Sequence, residues 1–291
     1  MKILLCGSDG QLAREFSAFL KEIHSDIEVS APREEKLDVT RADDVRRAIK
    51  AASPDIIINT AAYHKVDECE SNIQRTFDIN AYGASVVSTV AREYNTRSVY
   101  ISTGFVFDGA KNGPYVESDE PNPINVYGHS KALAEKLIRL VDPSAYIIRT
   151  NGLYGVYSGV NTKGRAGNFI DLVVRNAQSG NDMEMVSDQH LTPTYTRDFV
   201  EATVKLLLSN KEGGLYHISN SGLTSWYEVA STLYLLLRAK GTVHPISSEE
   251  RNAPAKRPKN ALLVSEKVKE SLPDWQDALK RYIQEKYSLT L

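Results

Sequence analysis

Residues 2–13 read KILLCGSDGQLA and begin a pattern that the first half of the chain repeats. An apolar run stops at glycine, and apolar residues then recur with helical spacing up to Ile23, which predicts a strand, a tight turn and a helix. Gly7, Gly10 and Ala13 form a GxxGxxA pattern, in which small residues let a pyrophosphate approach the backbone N–H groups of a helix N-terminus. Glycine turns also join strands to helices for steric reasons alone. The turn by itself therefore leaves both interpretations open.

Predicted strands and helices alternate as far as residue 150. Apolar strands are predicted at 27–30, 55–59, 98–101 and 145–150. This alternation predicts an α/β fold with a doubly wound parallel sheet covered by helices on both faces. Beyond Asn151 the alternation stops, and we interpret the glycine-rich, polar residues 152–167 as a mobile loop over the site.

Composition excludes several classes of function. The 291 residues carry 35 basic and 37 acidic side chains, a formal net charge of -2, so neither nucleic acid nor an anionic membrane is expected as the main partner. Only Cys6 and Cys69 occur, which fits a reducing compartment and predicts a cytoplasmic protein. No apolar run approaches the ~18 residues that span a bilayer, and no export signal is expected.

Hydrolase and zinc chemistry find no support in the sequence. The six histidines are scattered without metal-ligand spacing, so no metal site is predicted. The GxSxG motif of serine hydrolases is absent. A small-molecule substrate is therefore the expected partner.

The segment YGHSK at 127–131 carries the candidate redox acid. Tyr127 and Lys131 are four residues apart and share one face if the segment is helical. A neighbouring ammonium lowers the pKa of a phenol from about 10, toward a pH where proton donation and return are both feasible. Ser102 and Thr103 follow a predicted strand, where parallel sheets gather their ligand groups, and a hydroxyl there can bond the substrate oxygen that Tyr127 protonates. The spacing alone also fits a surface Tyr/Lys pair.

The adenosine end of a dinucleotide would meet residues 31–39. The second strand is followed by Ala-Pro-Arg, without the acidic residue of an NAD site, and Arg33 near Lys36 could accept a 2′-phosphate. This favours NADP(H) over NAD(H), although a loop arginine is often simply solvated. Asp38 could approach the adenine, or it could cap the helix that starts near Arg41.

Nine stretches, in order, carry a resemblance to a known family. They are GSDGQLA, NTAAYHKVDECE, STGFVFDG, PYVESDEPNPINVYGHSKALAEK, RTNGLYG, GNF, DQHLTPTYTRD, GLYHISNSGLTSWYEVA and AKRPKNALL. With them, the chain resembles extended short-chain dehydrogenases/reductases, and among them the dTDP-4-dehydrorhamnose reductase family, along nearly its whole length. The resemblance implies an oxidoreductase that reduces the 4-keto group of a nucleotide-activated 6-deoxyhexose with NADPH.

The resemblance also implies an architecture and residue roles. It implies a Rossmann domain at 1–150, to which about 193–220 returns, and a smaller, mainly substrate-binding lobe at 151–291. Tyr127 would donate the proton, Lys131 would bind the nicotinamide ribose and lower the tyrosine pKa, and Thr103 would orient the carbonyl. The implied cofactor-binding residues are Gly7, Gly10, Gln11, Leu12, Arg33, Asp38, Val39, Ala61, Ala62, Tyr63, Ser102, Tyr127 and Lys131. The implied substrate-binding residues are Ser102, Thr103, Phe105, Asn168 and Arg257, the last as a planar fork for the diphosphate.

Three departures from the family pattern keep alternatives open. Gly104-Phe105 replaces Asp-Tyr, Gly152 stands where many members carry tryptophan, and Ala13 replaces a glycine, which the fingerprint tolerates. The first two alter the expected sugar pocket and favour a different sugar nucleotide as one alternative. A non-catalytic, NADP-binding regulatory subunit is another, because fold alone does not fix function. A homodimer is compatible with the sequence.

Overall fold

The computed structural model describes residues 1–158, 167–209, 211–268 and 270–289. Its strands are β1 Lys2–Cys6, β2 Glu28–Ser30, β3 Ile56–Asn59, β4 Arg97–Thr103, β5 Tyr146–Thr150, β6 Leu153–Tyr154, β7 Met183–Val186, β8 His190–Leu191, β9 Thr194–Tyr195, β10 Gly214–His217, β11 Thr224–Ser225 and β12 Val243–Ile246. Its α-helices are α1 Gln11–Ile23, α2 Ala42–Ala52, α3 Val66–Ser71, α4 Ile73–Phe77, α5 Ala84–Glu93, α6 Val126–Val141, α7 Phe169–Ser179, α8 Thr196–Leu208, α9 Trp226–Leu236, α10 Ser248–Arg251 and α11 Trp275–Tyr287. A π-helical turn, Asp78–Gly83, joins α4 to α5, and a 3₁₀ turn, Gly104–Val106, follows β4.

Six parallel strands form the central sheet, in the order β10-β5-β4-β3-β1-β2. The chain runs outward from β1 to β2 and then returns to place β3 on the other side of β1. Such a reversal of strand order opens a crevice at the carboxyl ends of the strands, where open α/β sheets bind their ligands. The predicted α/β fold with a parallel sheet is confirmed.

Alternation along β1 divides the core into two layers. Ile3 and Leu5 pack with Phe16 of α1 and Phe199 of α8, while Leu4 packs on the other face, in the layer that includes Val87 of α5. Successive strand residues point to opposite faces, so an apolar run such as KILLC is buried on both sides. Both faces of the sheet are covered by helices, as the alternating pattern predicts.

A separate apolar core forms in the C-terminal part. Side chains from α7, α9 and α11, including Val173, Leu233 and Tyr282, make up this cluster. In contrast, α8 and β10 pack on or join the central sheet. The boundaries of the two predicted lobes stay a prediction.

The interpretation of residues 152–167 as a mobile loop needs correction at its start. Leu153–Tyr154 forms strand β6, which pairs in parallel with β9, and Tyr154 is buried against Tyr195 with ring centroids 5.7 Å apart. Residues 159–166 of this predicted loop lie outside the described residues. The aromatic side chains explain why the start of the segment is ordered in spite of its glycines.

Residues 107–125, between β4 and α6, are held by the C-terminal part of the chain. The Tyr115 N–H donates to the Leu262 carbonyl at 2.8 Å, and the Val264 N–H donates to the Tyr115 carbonyl at 2.9 Å. The Asn260 amide donates to the carbonyls of Lys111 and Gly113 at 2.9 and 2.7 Å. The long connection to α6 is therefore fixed by residues that lie far away in sequence.

Candidate active site

The first turn of α6 meets the end of β4. Asn125 caps α6 by accepting the Gly128 N–H at 2.7 Å, and the Thr103 side chain accepts the Phe105 N–H at 3.2 Å. A Cβ at Gly128 would collide with the Phe105 carbonyl oxygen, so only glycine permits this approach. The contact brings Tyr127 of α6 beside Thr103 of β4.

Tyr127 is protonated at neutral pH in this environment. Although its side chain is partly exposed, desolvation of the phenol raises its pKa to about 12. A hydrogen bond with the Thr103 side chain acts in the opposite direction and lowers that pKa. The phenol therefore carries a proton at neutral pH, and the bond from Thr103 favours its phenolate form.

Lys131 lies one turn after Tyr127 on α6 and is buried. Its ammonium donates to the Ile101 carbonyl at 2.6 Å and lies 4.1 Å from the centroid of the Tyr100 ring. Burial lowers the pKa of Lys131 to about 7, and the negative charge of Glu135 opposes that shift. The spacing predicted that Lys131 lowers the tyrosine pKa, but in the structure the dominant effect on each group is its own burial.

The turn after β1 has the shape that a pyrophosphate requires. Gly7 has φ +78°, and a Cβ there would lie 2.9 Å from the Ala61 nitrogen, so a side chain would be strained and crowded. Gly10 donates its N–H to the Gly7 carbonyl at 2.9 Å and is the N-cap of α1, where no side chain bonds the helix end. Gln11 and Leu12 open the helix, so their backbone N–H groups lie at its positive end. These residues fit a dinucleotide.

The remaining predicted cofactor residues differ in exposure and contacts. Ala61, Ala62 and Tyr63 follow β3 and are partly exposed beside the turn, and Arg33 is exposed. Asp38 accepts the N–H and hydroxyl of Thr40 at 2.9 and 2.7 Å, so its carboxylate orders a local turn. The alternative that Asp38 caps the next helix is not seen, since α2 has Arg41 as N-cap. The predicted cofactor residue Val39 is 5% exposed and packs in the core layer under α2 and α5.

The predicted substrate residues are only partly brought together. Phe105 packs edge-on against Tyr127 with ring centroids 6.1 Å apart. Ser102 instead donates its hydroxyl to buried Glu135 at 2.5 Å. Asn168 caps α7 by accepting the Asp171 N–H at 3.0 Å, and its own Nδ2 donates to Gln11 Oε1 at 3.4 Å.

Arg257 forms a two-pronged ion pair with Asp67 of α3. Nη1 and Nη2 donate to Oδ1 and Oδ2, each at 3.0 Å, and Nη1 also donates to the Ala255 carbonyl at 3.0 Å. The guanidinium lowers the pKa of the Asp67 carboxyl. The planar fork predicted to hold a diphosphate is thus oriented by a carboxylate of α3.

The departures from the family pattern have local explanations. The Gly104 N–H donates to Asn151 Oδ1 at 3.0 Å, and a Cβ at Gly104 would lie 2.5 Å from that side chain. Gly152 has φ +51°, and a Cβ there would lie 3.2 Å from Trp226 Cη2. Asn151 therefore occupies the space of a side chain at 104, and the Trp226 ring lies against the place where a side chain at 152 would begin.

A family model described as the RmlD substrate binding domain matches residues 1–288. The chain belongs to this family. It is 34% identical to the spore coat polysaccharide biosynthesis protein SpsK of Bacillus subtilis, covering 99% of this chain and 98% of that protein. It is 30% identical to dTDP-4-dehydrorhamnose reductase of Escherichia coli, covering 100% and 99%. A crystal structure of dTDP-4-dehydrorhamnose reductase from Bacillus anthracis in complex with NADP matches with a TM-score of 0.90 at 31% identity, over 98% of this chain and 99% of that one.

Residues that sequence reasoning missed in this RmlD-family chain are mostly buried and polar. Asn80, in the π-helical turn, donates to the Tyr63 carbonyl and to Ser130 Oγ, both at 3.0 Å, and its own carbonyl accepts from Tyr100. Glu135 and Arg149 form a buried ion pair. The one available signal was the four-residue spacing of Lys131 and Glu135 on α6, because the other contacts join distant segments.

The part of the chain that the structure describes contains no candidate for a membrane-spanning helix or for a metal site. None of the helices there combines the length and apolarity needed to cross a membrane. The same residues contain no group of three or more His, Cys, Asp or Glu side chains arranged to hold a metal ion.

Proposed function

We propose that this chain is an NADPH-dependent reductase of the 4-keto group of a nucleotide-activated 6-deoxyhexose, converting dTDP-4-dehydro-L-rhamnose to dTDP-L-rhamnose. The observation that carries the proposal is the placement of Tyr127, Thr103 and Lys131 together at the carboxyl end of β4, in a chain of this family. A similar reductase was crystallised with NADP, which supports the choice of cofactor.

The residues fit the cofactor and divide the chemistry between them. Bound NADPH supplies the hydride that reduces the keto carbon. Tyr127 donates its phenolic proton to the carbonyl oxygen as negative charge develops there, so ketone, hydride and proton become an alcohol. The Thr103 hydroxyl donates to the same oxygen before the proton transfer and to the phenolate after it, and the phenolate then recovers a proton from solvent. Lys131 would hold the nicotinamide ribose.

The exposed ion pair of Arg257 supports a role in substrate binding. Its guanidinium keeps 26% of its side-chain surface exposed and is already oriented for a bidentate acceptor. A diphosphate offers the same geometry as a carboxylate with more charge, so it would compete for the fork that Asp67 occupies. Arg257→Lys should therefore raise KM for the sugar nucleotide at least ~10-fold while leaving NADPH binding unchanged.

A different sugar nucleotide is the second candidate, favoured by the altered pocket at Gly104, Phe105 and Gly152. A relative that is 30% identical over 286 residues, covering 96% of this chain and 94% of its own length, is a probable dTDP-4,6-dihydroxy-2-methyloxan-3-one 4-ketoreductase from Streptomyces antibioticus. Turnover of several 4-keto sugar nucleotides should be compared. Activity with the rhamnose precursor alone would contradict this candidate.

The deciding experiment follows NADPH absorbance with dTDP-4-keto-6-deoxy-L-mannose. Tyr127→Phe should lower kcat by about 10²- to 10⁴-fold without loss of NADPH binding, since it removes only the general acid. Tyr94→Phe, at an exposed tyrosine after α5, is the matched control and should retain activity. Full activity of Tyr127→Phe would refute the proposed proton donor. NADPH binding without turnover of any sugar nucleotide would favour the regulatory alternative.

The proposal includes a cytoplasmic location and a homodimer. The two cysteines are free and buried, which supports a reducing compartment. Light scattering of the purified protein measures the mass of the assembly directly, and a monomeric mass would exclude the homodimer.

A further inference from the structure

A buried carboxylate lies one helical turn beyond Lys131. Glu135 is 2% exposed and pairs with Arg149 of β5, which is 1% exposed. Arg149 Nε donates to Oε1 at 2.9 Å and Nη2 donates to Oε2 at 2.6 Å. Removing two charges from water costs so much that apolar replacements of such pairs are often as stable. Stability alone is therefore a weak explanation for the pair.

Three consecutive residues of β4 are each bonded by a different side chain of α6. The Ile101 carbonyl accepts from Lys131, the Ser102 hydroxyl donates to Glu135, and the Thr103 side chain bonds Tyr127. Of these three α6 side chains, Glu135 is the one that also pairs with a residue of a third element, Arg149 of β5. The register between the end of β4 and the catalytic face of α6 thus depends on its carboxylate.

The same carboxylate acts on charge within the site. Its negative charge favours the ammonium form of Lys131, against the burial that disfavours it. The groups that face it are Lys131 on the same helix, Ser102 and Tyr100 on β4, and Arg149 on β5. His217 of β10 lies beyond Arg149, whose Nη1 is 3.4 Å from His217 Nε2, and the negative charge of Glu135 also acts on His217 by favouring its protonated form.

We propose that Glu135 is a positioning residue of this active site: its carboxylate anchors Ser102 so that Thr103 meets Tyr127, and it places a negative charge one turn from Lys131. This inference rests on the proposed reductase function. In this proposal the Ser102 hydroxyl binds Glu135 and does not bind a ligand. The sequence predicted instead that Ser102 binds the cofactor and the substrate.

The opposite end of the same two elements supplies matched controls. Ser98 of β4 is buried and donates to Asp142 Oδ2 at 2.9 Å, just after α6, in the same kind of serine-carboxylate bond. Glu135→Gln and Ser102→Ala should lower kcat by about 10- to 100-fold with KM changed less than ~3-fold, since misplacement by 1 Å costs about 10²-fold. Ser98→Ala and Asp142→Asn should keep kcat within ~2-fold of the wild type.

Two further readouts separate positioning from a structural role. In Glu135→Gln the alkaline limb of the kcat profile should move about one pH unit lower, because Lys131 loses the charge that favours its ammonium. Titration of ¹⁵N-labelled lysine side chains by NMR, with Lys131→Met for assignment, should show the same shift without any substrate.

Each of these measurements can overturn the proposed role of Glu135. A raised KM with normal kcat in Ser102→Ala would show that this hydroxyl binds ligand and would overturn the proposal. An unchanged Lys131 titration in Glu135→Gln would also overturn it, even if the wild type oxidised no NADPH and the proposed function had failed. If Glu135→Gln does not fold, Ser102→Ala alone still tests the anchor.

Discussion

Replacing Gly104 with alanine should destabilise the protein through one neighbour, Asn151. The added Cβ would lie 2.5 Å from Asn151 Nδ2 and Oδ1, whereas atoms in contact prefer about 3.5 Å. Asn151 would have to retreat by about 1 Å, which breaks its bond from the Gly104 N–H and its bond to the Ala261 carbonyl. Overpacking costs about 1–3 kcal/mol, and each lost hydrogen bond about 1 kcal/mol. With two bonds lost, we expect a total loss of about 3–5 kcal/mol.

A double-mutant cycle with Asn151→Ala checks this reasoning. Urea unfolding followed by tryptophan fluorescence gives the free energy of unfolding for the wild type, both single variants and the double variant. Without the Asn151 side chain, Gly104→Ala should cost less than about 1 kcal/mol, so that the coupling is at least about 2 kcal/mol. An equal cost of Gly104→Ala in both backgrounds would refute the steric explanation.

Three further outcomes are expected. Arg149→Met should lower the free energy of unfolding in urea by about 3–5 kcal/mol, because it leaves the buried carboxyl of Glu135 without its guanidinium partner. A second change, Glu135→Met, should recover most of the loss, and no recovery would contradict this. Burial, aided by the charge of Arg149, lowers the pKa of His217 to about 4 from 6.5, so the unfolded state binds the extra proton and stability should fall as pH drops from about 6.5 to about 4. Unfolding midpoints across that range should flatten in His217→Asn, and an unchanged slope would exclude His217 as the cause. Gly152→Trp should lower the thermal unfolding midpoint, because Gly152 has φ +51° and a Cβ there would lie 3.0 Å from Leu191 and 3.2 Å from Trp226. Adding Trp226→Ala should restore part of the loss, and an unchanged midpoint in the double variant would refute the crowding.

The sequence predicted correctly those elements whose structure depends on residues that are close together in the chain. The strand, glycine turn and helix at residues 2–23 occur as the pattern predicts, because the turn needs glycine at φ +78° and the apolar spacing fits the buried face of α1. Alternating strands and helices likewise predicted the parallel sheet. The four-residue spacing placed Tyr127 and Lys131 on one helix, although it could not show that burial dominates their pKa values.

Contacts between distant segments could not be predicted in this way. Arg149 stands inside an apolar strand, and only the fold shows that Glu135 is its partner. Asn168 was predicted to bind substrate, yet its sequence GNFID also fits a capping box, which the structure shows with Asp171. The two asparagines that flank the site, Asn80 and Asn151, have no periodicity that marks them, since each bonds groups from other elements.

The strap of residues 260–264 across the Tyr115 segment has a consequence for how the protein is made. Residues 107–125 have some contacts among themselves, such as Tyr115 with Asp108, but the strap residues that bond Lys111, Gly113 and Tyr115 are synthesised about 150 residues later. While the chain is still growing, Asn125 and the start of α6 follow a segment that lacks these long-range partners. The active site should therefore form only after residues 260–264 have been synthesised and have bound the segment. A pulse of protease during synthesis should cut residues 107–125 before that contact forms and leave them intact afterwards.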